Sequence, residues 1–197
     1  MKNAKIYYSA ILAGIFISLG CIVYTIIGGY LGAFLFAFGL VNVITFKTSL
    51  LYTGAVGYTQ ARLSDIIKIM LIIWGNLSGT ALMALFCALG HYQLNQPYLE
   101  LNFSLFFKAI LCGMIMFLMV DGIKNSDNPI RFILLLGVPL FILTGMVHSV
   151  AVMFYLVYFN YGSILTEFSI LLVSLFGNFI GAKIIYRIQK LAKENLG

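Results

Sequence analysis

The sequence predicts an all-α membrane protein: six transmembrane helices in two inverted three-helix halves, with the second and fifth helices broken. Three observations lead there. The chain of 197 residues is 62% hydrophobic and only 9% charged, and its mean hydropathy of +1.03 exceeds what a water-exposed surface of this size accommodates. Apolar runs near the ~20 residues that cross a hydrocarbon core recur along the whole length. Finally, "WGNLSG" at residues 74–79 returns as "FGNFIG" at residues 176–181, and "YTGAVG" at residues 52–57 is loosely echoed by "LTGMVH" at residues 143–148. Three crossings are an odd number, so the second half lies upside down relative to the first.

The first crossing covers about residues 8–29. "MKNAK" ahead of it carries the charge of a signal peptide, but no A-x-A cleavage site follows and five more apolar segments do, so it reads as part of the first helix. The second crossing, about residues 30–61, is too long for one helix and contains polar and glycine breaks. It reads as two half-helices joined by irregular backbone, which a bilayer admits only where protein or a water-filled cavity shelters the peptide groups. The third, about residues 66–90, carries "WGNLSG". The longest polar connection, "HYQLNQPYLELN" at residues 91–102, then separates the two halves of a single transmembrane domain over residues 1–197; the halves run over about 8–90 and 103–186. The fourth crossing covers about residues 103–122, and the sixth, about 163–186, carries "FGNFIG". Between them the fifth, about residues 131–158, is again overlong and is interrupted at "TGMVHSVAVMF".

Charge sets the orientation. Lys2, Lys5, Arg62, Lys68, Lys124, Arg131, Lys183, Arg187, Lys190 and Lys193 flank the N-terminus, the second and fourth connections and the C-terminus, whereas the other connections contain no Lys or Arg. Both termini are therefore expected on the cytoplasmic side of the cell membrane. The net charge of +6 finds its explanation there and does not call for nucleic acid. Two lysines remain, Lys47 and Lys108, within or near the membrane. A lysine at a helix centre costs roughly 2.5–3.5 kcal/mol on insertion scales, and no Asp or Glu precedes Asp65, so Lys47 needs water, freed backbone carbonyls or a passing anion. Cys21, Cys87 and Cys112 lie inside apolar runs without metal-ligand spacing and read as reduced packing residues. No metal or cofactor is expected. His148 and Ser149 do not make a hydrolase, because adjacent residues point apart on a helix and no orienting acid accompanies them.

On these residues the chain resembles the formate/nitrite transporters over nearly its whole length. "AGIFISLG" at residues 13–20 is similar to that family's first-helix signature, "LYTG" at residues 51–54 to its second-helix loop, and "WGN" and "FGN" to its third and sixth helices. Of the fifth-helix motif G-x-E-H-x-x-A-N-M-F, Gly145, His148, Ala151, Met153 and Phe154 agree. The resemblance implies an aquaporin-like protomer in a homopentamer. It places His148 opposite Thr53 at the centre, Asn76 and Asn178 on the paired helices, and Phe36, Leu40 and Phe141 at apolar constrictions. Lys108 corresponds to a basic residue early in the fourth helix. The chain departs from the family pattern at Leu50 and Val147, where acids are usual, and at Gly113 and Val152, where asparagines are usual.

The function implied is passage of a small monovalent weak-acid anion, formate or nitrite first, together with a proton. Hydrosulfide or another small anion is the alternative substrate, and a neutral-solute channel the alternative class, although the asparagine-proline-alanine repeats of aquaporins are absent. Physical chemistry supports the proton. An isolated carboxylate is too costly to desolvate in an apolar constriction, and a less polar setting raises its pKa and favours proton capture. His148 either donates or relays that proton or orients the substrate with Thr53. Lys47 and Lys108 would draw the anion inward.

Overall fold

The computed structural model describes residues 2–51, 55–60, 62–125 and 135–194. The regular structure among them is helical: α1 (Lys2–Ile27), α2 (Gly29–Thr45), α3 (Ala55–Tyr58), α4 (Leu63–Leu89), α5 (Phe103–Asn125), α6 (Gly137–Leu143), α7 (Ser149–Tyr158) and α8 (Ile164–Glu194). Of these, α1, α4, α5 and α8 are long and apolar enough to cross a membrane. The two overlong apolar stretches are interrupted, one between α2 and α3 and the other between α6 and α7.

Two helices outrun the bounds expected from hydropathy. The first begins at Lys2 rather than near residue 8, and the last continues to Glu194 rather than stopping near residue 186. Hydropathy marks where hydrocarbon ends, whereas Lys, Ala, Gln and Glu in the flanking turns keep a helix going in water.

Lipid tails are as apolar as leucine, so membrane helices are joined by close packing and by hydrogen bonds rather than by expulsion of water. Here the same joints occur twice. Helix α1 packs on α4, and α5 on α8. A Cβ on Gly75 would sit 2.5 Å from Ala10 Cβ, and one on Gly177 would sit 2.5 Å from Ala109 Cβ. Gly79 likewise abuts the Ile11 carbonyl, and Gly181 the Ile110 carbonyl. Ala10 to Ala109 is a step of 99, and Gly75 to Gly177 a step of 102, so one joint recurs with fixed offsets. The second half-helices then cross over: α7 lies against α4, and α3 against α8, while α2 contacts α6.

The two breaks are also built alike. At the end of α2, Phe46, Lys47 and Thr48 donate their N–H groups to the carbonyls of Asn42, Ile44 and Val43 at 2.9, 3.2 and 3.0 Å. At the end of α6, Thr144, Gly145 and Met146 donate to Leu140, Ile142 and Phe141 at 3.2, 3.1 and 2.9 Å. Each is a Schellman cap whose turning residue is left-handed. Gly145, at φ 69°, suits that role; Lys47, at φ 51°, takes it against the preference of its side chain.

The core holds Ile17, Leu40, Leu50, Phe117, Met153 and Phe154. Tyr30, Leu31, Phe34, Phe38, Leu165 and Phe176 face outward instead, the arrangement expected where lipid is the solvent.

Candidate functional site

The break between α6 and α7 carries the histidine. His148 has extended backbone (φ −95°, ψ 115°) and caps α7, with Nδ1 accepting from the Ala151 N–H at 3.4 Å. An accepting Nδ1 means that the neutral imidazole bears its proton on Nε2, which is then a donor. The ring is 3% exposed. It sits beside Phe141, with centroids 5.9 Å apart, and Phe141 meets Phe36 edge-on at 5.9 Å and 88°. Leu40 lies one helical turn beyond Phe36 on α2 and is buried.

Above this stack opens a cleft of about 240 Å³, whose lining includes Tyr24, Tyr98, Lys108, Phe36, Phe141 and His148. Lys108 is half-buried at its side. The Lys108 carbonyl accepts from the Val147 N–H at 3.4 Å, so α5 is fastened to the break directly beside His148. The 91–102 connection roofs the cleft and is itself tied down. Asn95 donates to the Thr25 carbonyl through its backbone N–H at 3.0 Å and through Nδ2 at 2.9 Å. The Tyr161 hydroxyl donates to the Pro97 carbonyl at 2.8 Å.

Asn178 and Asn76 hold the two breaks. Asn178 Nδ2 donates to the carbonyls of Ala109 at 2.7 Å and Val147 at 2.8 Å, and its Oδ1 accepts from the Ser149 N–H at 2.8 Å. Asn76 Nδ2 donates to Ala10 at 2.8 Å and Ser49 at 3.1 Å, and its Oδ1 accepts from the Leu51 N–H at 3.1 Å. Both side chains are completely buried, and all three bonds go to backbone. Each clamp therefore satisfies peptide groups that a broken membrane helix leaves bare. Neither asparagine borders these clefts; what both side chains do in the structure is hold backbone.

Lys47 stands apart from His148. It is exposed, and with Lys124 it lines a second cleft of about 470 Å³ between the ends of α2 and α5. Thr53 lies outside the described residues. The structure thus brings together His148, Lys108, Phe36 and Phe141, and sets Lys47 at the other end.

Several residues escaped the sequence reading. Tyr155 also lines the histidine cleft; its spacing of seven from His148, through Ala151 and Val152, is one face of a helix and was available as a signal. Tyr58 donates from its hydroxyl to Asp121, a buried acid late in α5. A carboxylate closing an apolar run is itself a recognisable signal. Tyr24 and Tyr98 come from distant segments and had none.

A family model described as formate/nitrite transporter matches residues 1–190. Among solved structures, the chain is similar to a pentameric formate channel with formate bound, at TM-score 0.80 and 17% identity, with 98% of each chain covered. It is also similar to an FNT family ion channel, at TM-score 0.79 and 19% identity, covering 95% of this chain and 89% of the other. At these identities the likeness is one of fold. None of the curated proteins matches the chain in sequence.

Proposed function

The chain belongs to the formate/nitrite transporter family, and from that premise we propose that it is a membrane channel or transporter for small monovalent weak-acid anions, formate or nitrite first, and not an enzyme. The observation that carries the reading is a buried histidine capping a half-helix at the foot of a lysine-containing cleft, behind a pair of phenylalanines. Lys108 draws the anion into the cleft. Phe36 and Phe141 then demand that it shed water, which a bare carboxylate does only at a cost far above what a few hydrogen bonds return. Loss of polar surroundings raises the anion's pKa, and it takes up a proton and passes as the neutral acid. Nε2–H of His148 is the donor that holds the substrate there by a hydrogen bond, with Thr53 as its expected partner; as a neutral ring it gives up that proton only if Nδ1 takes up another, so the net proton comes from the water of the cleft.

The architecture proposed is six crossings in an inverted repeat of aquaporin-like form. It is supported by the doubled glycine joints, asparagine clamps and helix caps. The termini lie in the cytoplasm, following the distribution of Lys and Arg. Because the structurally similar formate channel is pentameric, a homopentamer with one pathway per protomer is the expected assembly.

Uptake of labelled formate into proteoliposomes tests the reading, with nitrite, hydrosulfide and glycerol as competitors. Saturable uptake inhibited by nitrite is expected. Inhibition by hydrosulfide alone would move the assignment to that anion, and inhibition by glycerol would move it to a neutral-solute channel.

A further inference from the structure

The repeat lets the two ends of the pathway be compared residue by residue. The caps align by a step of 98: Phe46, Lys47 and Thr48 make the bonds that Thr144, Gly145 and Met146 make. Ser49 N–H donates to the Ser9 carbonyl at 3.4 Å, as Val147 N–H donates to the Lys108 carbonyl at 3.4 Å. Ser9 to Lys108 is the same step of 99 that separates Ala10 from Ala109.

The cleft at Lys47 is the repeat of the cleft at His148. Its lining residues Val43, Ile44, Lys47 and Ile123 correspond to Phe141, Ile142, Gly145 and Tyr24, which line the other. Its charge is different. Lys108 is replaced by Ser9, but Lys47 replaces Gly145, and Lys124 stands where the step of 99 gives Thr25. Of the acids nearby, Asp121 accepts from Tyr58 and interacts electrostatically with Lys124, and Asp65 accepts from the Gln60 N–H at 3.0 Å; Lys68 lines an adjoining cleft with Lys124 and Asp65, so three lysines stand on this side against these two acids. Lys47 also keeps a left-handed backbone where the other half uses glycine, the kind of local strain that persists at sites where the side chain has a task.

We infer that Lys47 and Lys124 form a second anion-binding site, at the mouth opposite Lys108, for the same class of small monovalent anion. The site makes the pathway sided: an anion is held more tightly at the Lys47 mouth than at the Lys108 mouth. The inference rests on the proposed anion pathway. A passive pathway cannot choose a direction, so tighter holding at one mouth lowers both the half-saturating concentration and the maximal rate from that side, and their ratio stays equal in the two directions.

The test measures formate flux from each face of proteoliposomes whose protein orientation has been fixed by impermeant labelling. Half-saturation is expected at a formate concentration about fivefold lower from the Lys47 face, roughly the effect of one cation at contact in water-like surroundings. The gap is expected to narrow as salt is raised through about 0.15 M. Lys47→Met and Lys47→Gly are both expected to abolish most of the difference, and Lys47→Arg to keep it. The glycine variant adopts the left-handed turn without strain, so its loss of sidedness reports charge and not misfolding. Equal half-saturation from both faces of the unaltered protein would overturn the inference, as would a difference that survives Lys47→Met, Lys47→Gly and Lys124→Met. Absence of any saturable formate flux would instead overturn the pathway on which it rests.

Discussion

Replacing Asn178 with leucine tests the clamp at the histidine break. Leucine nearly preserves the volume, so the change isolates three hydrogen bonds at 2.7, 2.8 and 2.8 Å. At about 0.5–1.5 kcal/mol each, and with the Ser149 N–H and the Val147 carbonyl left buried without that partner, the loss comes to about 2–4 kcal/mol. For a chain of this size that lowers the unfolding midpoint by about 4–16 °C. The readout is intrinsic-fluorescence melting of the detergent-solubilised protein, paired with formate flux in liposomes. Both should fall together, because the clamp sets the position of His148 as well as the strength of the joint. Asn178→Asp should fail in the same way: it retains the acceptor for Ser149 but turns a carboxylate toward two carbonyls. Asn76→Leu should match it through the other break, since its three bonds are equivalent. A variant with the original midpoint and flux would refute the clamp, and one with the original midpoint but no flux would make Asn178 a substrate ligand instead.

Phe141→Ala removes the ring between Phe36 and His148, so acetate and lactate flux should rise roughly tenfold, the effect of about 1.4 kcal/mol off a barrier, while formate flux persists; unchanged selectivity among these acids would remove Phe141 from the constriction. Gly181→Val puts a Cβ into the Ile110 carbonyl, where only backbone can yield, and little assembled protein should be recovered from membranes; normal yield and melting would contradict the close joint. Asn95→Ala keeps the backbone N–H bond to Thr25 but loses the Nδ2 bond and should lower stability by about 0.5–1.5 kcal/mol without abolishing formate flux. Loss of flux at unchanged stability would give the roof of the cleft a direct part in transport.

Hydropathy and composition were enough to indicate an all-helical chain with long apolar helices, because a bilayer forces apolar segments of fixed length; four such helices are present among the described residues. The same two features also indicated that both overlong apolar runs are interrupted, since neither can be one helix; the described part of the first interruption, residues 46–51, lies ahead of "YTGAVG", whose last three residues open α3. Helix ends were less legible: hydropathy is blind to Lys2 and to the last turns of α8, whose polar residues are helical all the same. Among site residues, His148 stood out as an ionisable group in apolar sequence, and its neighbours Phe36, Phe141 and Lys108 meet it in one cleft. The asparagines were legible as a repeat, but their bonding was not. An amide side chain looks the same in a sequence whether it faces a solute or three peptide groups. Lys47 was the hardest to read. Its left-handed turn depends on a cap formed by the preceding helix, and only comparison with Gly145 gives that turn its meaning.

The central claim is that a small anion passes the phenylalanines beside His148 as the neutral acid. The most direct measurement follows formate entry, internal pH and membrane current together in proteoliposomes, with a formate gradient imposed between about pH 5 and 8, the range in which an unperturbed histidine titrates. One proton carried per formate, no accompanying current, and a rate that climbs as the outside pH falls are expected. A current proportional to formate flux, with internal pH unchanged and the rate indifferent to outside pH, would mean that the bare anion crosses and would contradict the account.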